Sequence, residues 1–364
     1  MELFIQSLNT IKGDIRNMRK TVPYTIAEIG VNFYDTAREK DMTPLEAAKL
    51  YIDKVSEAGV DCAKFQSYKA DTIVSKNSPA YWDTAKEPTK TQYELFQKFD
   101  SFGESEYRIL SDYAHSKGLD FTSTPFDYAS ADYLEDMVDF YKISSSDLSN
   151  IPFISHIGAK GKPVIISVGA AYLSEVDEAI RALKKSGCSD ITILHCVLSY
   201  PTDPNNANLR VIETLKKDFP DVKVGFSDHV APDDTMMTLA VAYMLGAEVI
   251  EKHFTLDKTL AGNDHYHAAS PEDFKTAISN FRWIDTVKGN PEKTVLDCER
   301  VPRREARRSL VFTRDMSAGE VIQKEDLMPK RPGTGIPPKY SDIVVGRKVL
   351  IDVKEDTIAT WDMV

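Results

Sequence analysis

The chain has 364 residues, 42% of them hydrophobic, a formal net charge of −11 and four cysteines, Cys62, Cys188, Cys196 and Cys298. The length suits one α/β barrel of about 250 residues with a small appendage, and the acidic balance excludes the basic stripe that a nucleic-acid or anionic-membrane surface needs. The cysteines have no CxxC spacing and three of the four lie in or beside apolar runs, so they read as buried thiols rather than disulfides or a zinc cluster, and with no apolar signal core or bilayer-length run a soluble, cytoplasmic protein is expected.

Residues 1–22 form an N-terminal extension in which IKGDIRNMRK reads as a helix or a cap over the barrel bottom. Apolar, β-rich runs then recur at 24–29, 62–66, 120–124, 140–143, 163–168, 191–197, 223–226 and 248–250. Helical stretches between them carry start signals: Thr43-Pro44-Leu45-Glu46 opens one, and Ser174-Glu175 and Ser270-Pro271-Glu272-Asp273 open two more. Strands alternating with amphipathic helices imply parallel βαβ units, and eight of them predict a (β/α)8 TIM barrel over 23–287 rather than an open doubly wound sheet. No GxGxxG or Walker loop follows any strand, which argues against a nucleotide fold. The long polar stretch 71–102 reads either as a lid or as a surface excursion or oligomer contact. Composition turns polar and charged at 288–307, a linker, and 308–364 reads as a small β-rich domain of short strands and turns.

In such a barrel the C-terminal ends of the strands form the catalytic face. Polar residues gather at six of the eight: Glu28; Lys64 and Gln66; Ser123-Thr124; Lys142 with Ser144-Ser145-Ser146-Asp147; Ser167; and His195-Cys196 with Ser199-Tyr200. A lysine inside an apolar strand is costly to bury and is tolerated where an anion meets it. Two of them, with several hydroxyls, predict a phosphate or carboxylate pocket. His229 and His253 follow the seventh and eighth runs, one βα unit apart, and suit one cation such as zinc, manganese or iron, which would act as a Lewis acid on a carbonyl. Asp264, His265 and His267 crowd the next loop; spacing leaves the two histidines open as further ligands or sugar contacts.

The segments AEIGVNFYD, KFQSYKADTIVS, TSTPFD, YKISSSDLSN, KPVIISVGA, LHCVLSYPT, GFSDHV, EKHFTLD and KRPGTG closely resemble the sialic acid synthase family, which includes the legionaminic and pseudaminic acid synthases. The resemblance covers nearly the whole chain from about Tyr24 and implies a phosphoenolpyruvate-binding barrel followed by an antifreeze-like (SAF) domain. By position it implies phosphoenolpyruvate contacts from Lys64, Thr124, Lys142, Ser145, Ser167 and Ser227, and a divalent metal, Mn2+ or Mg2+, on His229 and His253. It implies acceptor-sugar contacts from Tyr200, Asp264 and Arg331, and catalytic carboxylates at Glu28 and Glu251. It further implies a homodimer in which the C-terminal domain crosses the interface and brings Arg331 to the partner's site. The reaction expected is condensation of phosphoenolpyruvate with an open-chain N-acylated amino hexose and water, giving a nonulosonic acid and phosphate. Alternatives are a synthase using a different aldose and a degenerate sugar-binding protein. The chain departs from the family's usual pattern at Val197-Leu198 and at Gly262-Asn263-Asp264-His265-Tyr266-His267, both on the acceptor side.

Overall fold

The computed structural model describes residues 23–82, 84, 87–262 and 264–364; the extension expected over 1–22 and the departure at Asn263 lie outside them. The described chain divides into two compact units, the second beginning at Gly289. Among the described residues no helix is long and apolar enough to cross a membrane.

The first unit is built on strands buried on both faces, as parallel strands covered by helices must be. They are β1 (Tyr24–Gly30), β2 (Cys62–Ser67), β3 (Asp120–Pro125), β4 (Tyr141–Ile143), β5 (Val164–Ser167), β6 (Ile191–Cys196), β7 (Lys223–Asp228) and β8 (Val249–His253). Their order is β3-β2-β1-β8-β7-β6-β5-β4 and all neighbouring pairs are parallel. At the β3/β4 seam Thr122 Oγ1 donates to the Phe140 carbonyl at 2.7 Å, and the Asp139 amide donates to the Phe121 carbonyl at 3.0 Å. The eight strands thus form the expected (β/α)8 barrel. Among its helices, Pro44–Ala58 starts where Thr43 and Glu46 cap each other reciprocally, and it buries Ala47, Ala48, Tyr51, Ile52 and Val55 against the strands.

The period-two alternation of a strand sorts these residues into two environments. Outward positions such as Ala27, Phe65, Phe121, Ile143, Ile166 and Ile250 join the core beneath the helices. Inward positions change character along the barrel axis. Near the strand starts Ile26, Cys62, Phe140, Ile165, Leu194 and Val249 form an apolar plug. Two residues further along the same strands stand Glu28, Lys64, Lys142, Ser167, Cys196 and Glu251, all buried. The barrel is therefore filled at its base and polar at its rim. Gly225 belongs to the filled part: a Cβ there would lie 2.3 Å from the Val249 carbonyl oxygen and 2.6 Å from Leu194.

Two strands run further than the sequence suggests. β7 continues through Ser227 and Asp228, and β8 through Glu251, Lys252 and His253, so these residues are ladder members and not the loops beyond. Parity then decides their roles, sending Glu251 and His253 inward and Lys252 outward.

The second unit contains a 3-10 turn (Asp297–Glu299), a helix (Arg300–Ala306) and the antiparallel pair β9 (Ser309–Phe312) and β10 (Leu327–Lys330). Leu310, Phe312, Met316, Ile322, Ile336 and Val344 form its own core. Residues 288–307 thus contain local structure of their own.

Candidate active site

Register fixes the rim. Glu28 stands opposite Lys64 on one side and His253 on the other, Ser227 is opposite both Glu251 and Cys196, and Gln66 is opposite Thr124. These side chains open into a cavity of about 500 Å³ that is also lined by Lys142, Ser145, Ser167, Tyr200, His229 and Asp264. Twelve of the thirteen site residues expected from sequence therefore face one cavity. The thirteenth, Arg331, is an exposed residue of the second unit just after β10.

The floor is an ionic network. Lys64 pairs with Glu28 Oε2, lies 3.5 Å from Glu251 Oε1 and donates to Thr124 Oγ1 at 3.2 Å. Gln66 Nε2 donates to the other Glu28 oxygen at 2.6 Å. Lys142 donates to Ser167 Oγ at 2.8 Å and to the Ile143 carbonyl at 3.0 Å, with Glu251 Oε1 at 3.9 Å. Ser227 donates to that same carboxylate at 3.3 Å, while Glu251 Oε2 accepts no hydrogen bond among the described residues. Ser145 Oγ accepts from the Gly169 amide at 2.9 Å and so stands at a fixed place on the wall.

The two carboxyls are driven apart. Burial pushes Glu28 up to about 7, with Lys64 opposing and Glu251 adding to the rise. Burial acts on Glu251 too, but Lys142 and then Lys64 outweigh it and hold that carboxyl below its ordinary value. Lys64 is kept charged because Glu251 and Glu28 outweigh the effect of its burial, whereas burial lowers Lys142. The Lys142 amine, hydrogen-bonded to a hydroxyl and a carbonyl with Glu251 at 3.9 Å, is a group whose charged form an incoming anion would favour.

The mouth is a histidine cluster. His229 Nδ1 donates to the Val197 carbonyl at 2.8 Å, which leaves Nε2 with its lone pair. Tyr200 packs on His229 at 4.1 Å between ring centroids. The His229 and His253 rings are 5.4 Å apart, and the His253 and His267 rings 4.9 Å. Burial pushes His229 down to about 4 and holds His253 well below the ordinary imidazole value, so both are neutral, the form that binds metals. Nδ1 of His253 makes no hydrogen bond among the described residues and lies 3.7 Å from Asp264. The donors fit a divalent cation in chemistry, and ligand atoms of His253, Asp264 and His267 also do so in spacing, lying within 4.8 Å of one another. The other loop histidine has a different place: His265 is fully buried, with Nδ1 2.7 Å from Thr255 Oγ1 and Nε2 3.3 Å from Asp35. His195, flagged with Cys196, points outward onto Phe226 and the Ala207 carbonyl.

Sequence reasoning left three contributors unassigned. Stretch 71–102 lines the cavity with Ile73, Tyr81, Trp82, Phe96 and Phe99; its length was the only signal. Gln66 and Cys196, to which their strand-end positions alone assign no role, also line the cavity.

Residues 51–293 match the NeuB family and 307–364 match the SAF domain. An uncharacterised protein of Methanocaldococcus jannaschii is 39% identical over 98% of both chains. The N,N'-diacetyllegionaminic acid synthase of Legionella pneumophila is 37% identical, covering 93% of this chain and 94% of its own. The crystal structure of the N-acetylneuraminic acid (sialic acid) synthetase of Leptospira borgpetersenii in complex with citrate superposes with a TM-score of 0.67 at 30% identity, over 78% of this chain and 90% of its own.

Proposed function

The chain belongs to the NeuB family and is a synthase, and we propose that it condenses phosphoenolpyruvate with an open-chain N-acylated amino hexose and water to give a nonulosonic acid and phosphate. The observation that carries this reading is the pair of buried lysines, Lys64 and Lys142, that share Glu251 at the floor of the cavity among Thr124, Ser145, Ser167 and Ser227. That arrangement is complementary to a small substrate bearing a phosphate and a carboxylate. On this reading the substrate would lie with carbon 3 toward the mouth, where the sugar aldehyde would enter.

The new carbon–carbon bond joins carbon 3 to the aldehyde carbon, whose oxygen becomes a hydroxyl. Water adds at carbon 2 and the carbon–oxygen bond to phosphate breaks, leaving a ketone. Glu28 is assigned to the water's proton, because its carboxyl titrates near neutrality and can both take and return one. Glu251, held ionised between the lysines, serves electrostatically. His229 and His253 would hold a divalent cation, Mn2+ or Mg2+, whose contribution is to polarise the aldehyde oxygen.

The outer wall favours an acceptor with apolar substituents. Ile73, Tyr81, Trp82, Phe96 and Phe99 suit the methyl groups of acetamido arms, and the Legionella relative's name points to a diacetamido product. Among the described lining residues the only lysines are Lys64 and Lys142, both at the inner end. We therefore favour a 2,4-diacetamido hexose or N-acetylmannosamine itself. The family resemblance of the sequence motifs extends the reading to a homodimer in which Arg331 completes the partner's acceptor site. Phosphate release from phosphoenolpyruvate, measured with Mn2+ across a panel of these sugars and simple aldoses, tests it. Release that requires an acylated amino sugar supports the assignment, and absence of release with every sugar would leave a binding protein.

A further inference from the structure

The loop that follows β8 carries two histidines that sequence could not tell apart, and the structure separates them. Backbone bonds sew the loop to the strand end: the Ala269 amide donates to the His253 carbonyl at 2.7 Å, and the Thr255 amide to the Ala269 carbonyl at 2.9 Å. His265 then braces it from beneath through Thr255 and Asp35. Gly262, at φ +138°, lets the chain pass so close to Asp35 that a Cβ would come within 2.9 Å of its carboxylate. Tyr266 ties the outer side by donating to the Tyr200 carbonyl at 3.0 Å. With His265 and Tyr266 so anchored, Asp264 and His267 are delivered to the buried face of His253, which is only 8% exposed and whose Nδ1 has no hydrogen bond among the described residues.

We propose that His267 is a further ligand of the divalent cation that His229 and His253 would hold, and that Asp264 joins His253 and His267 in its seat. Two imidazoles and one carboxylate within 4.8 Å of one another leave coordination positions open for water or substrate oxygens, and they suit a first-row transition ion better than Mg2+, which prefers oxygen donors. Asp264 is thereby a metal ligand and reaches the acceptor only through the ion. His229, with Nδ1 fixed on Val197 and Nε2 open, faces the same seat from β7's end. The consequence is a preference for Mn2+ or Co2+ over Mg2+ that this loop builds in.

This inference deepens the metal part of the proposed function but is tested without substrates. Mn2+ is titrated into the full-length metal-free protein and free ion is followed by electron paramagnetic resonance, for wild type, His253→Ala, His267→Ala and His267→Gln. Circular dichroism of each metal-free variant checks folding. The expected result is that His267→Ala weakens Mn2+ at least about tenfold, that His267→Gln falls between it and wild type, and that the visible bands of the Co2+-loaded protein change in both. Mn2+ affinities of both His267 variants within twofold of wild type, while His253→Ala loses binding, would overturn the proposal. That outcome would leave the phosphate-release assignment standing, since the release assay is independent of it.

Discussion

At the scale of single residues, the site works by giving like groups unlike surroundings. Glu28 and Glu251 share Lys64, yet one titrates near 7 and the other is held ionised. A carboxyl raised to about 7 keeps its proton below that pH and becomes a base above it. With Glu28 as base, kcat/KM of the free enzyme should rise through an acid limb near pH 7, and binding of the phosphoenolpyruvate anion beside it should move the limb in kcat higher still. Glu28→Gln should bind phosphoenolpyruvate and turn over nothing; an acid limb near pH 5, or normal turnover by the variant, would transfer the role to another group. The three buried lysines make the same point about reading sequence. Lys64, Lys142 and Lys252 all interrupt apolar strands, but Lys252 sits on the outward parity of β8 and pairs with Asp228 at 2.5 Å and the Val230 carbonyl at 2.6 Å. Lys142→Met should therefore raise KM for phosphoenolpyruvate tenfold or more, roughly the loss of one charge-assisted contact, with the fold intact. Lys252→Met should instead leave Asp228 buried without its cation and destabilise the protein by about 3–5 kcal/mol, read by denaturant unfolding.

At the scale of elements, what was legible followed from periodicity and what was not followed from polarity. Eight apolar runs separated by capped helices were enough to reach a barrel and to put Glu28, Lys64, Thr124, Lys142 and Ser167 at its rim, whereas Ser227, Glu251 and Asp264 were assigned to the site by the family resemblance. The ends of β7 and β8 were cut short because Ser227, Asp228, Glu251, Lys252 and His253 look like loop residues. Ser227, Glu251, Asp228 and Lys252 stay in the ladder because the barrel's own interior or an ion pair gives each a partner, and His253 follows them on the inward parity of β8. The orientation of 71–102 had no periodic signal at all; only contact geometry shows Trp82 and Phe96 on the cavity wall. Trp82→Ala should accordingly raise KM for the sugar severalfold while leaving KM for phosphoenolpyruvate unchanged, and equal effects on both would make the stretch a general cover. Gly225 tests the filled base of the barrel. Its Cβ would meet the Val249 backbone, which cannot rotate away, so Gly225→Ala should cost about 1–3 kcal/mol in thermal or chemical unfolding.

At the scale of the whole molecule, the barrel was legible as a count of repeats, while its closure at β3 and β4 depends on bonds such as Thr122 to Phe140 that no pattern announces. The role proposed for Arg331 would be a property of an assembly, beyond the reach of strand parity or helix caps. In the proposed dimer each site takes Glu28 from one subunit and Arg331 from the other, and that division makes a sharp prediction. Glu28→Gln and Arg331→Ala should each be poorly active as pure proteins. If they are mixed in equal amounts under conditions that let subunits exchange, half of the dimers are hybrids. In a hybrid, one site carries both lesions and the other carries neither. Activity should then recover to about a quarter of wild type, measured as phosphate release after exchange. If Arg331 served its own subunit, every site in the hybrid would contain one lesion and mixing would restore nothing, so the recovered fraction decides between an exchanged and a self-contained second unit.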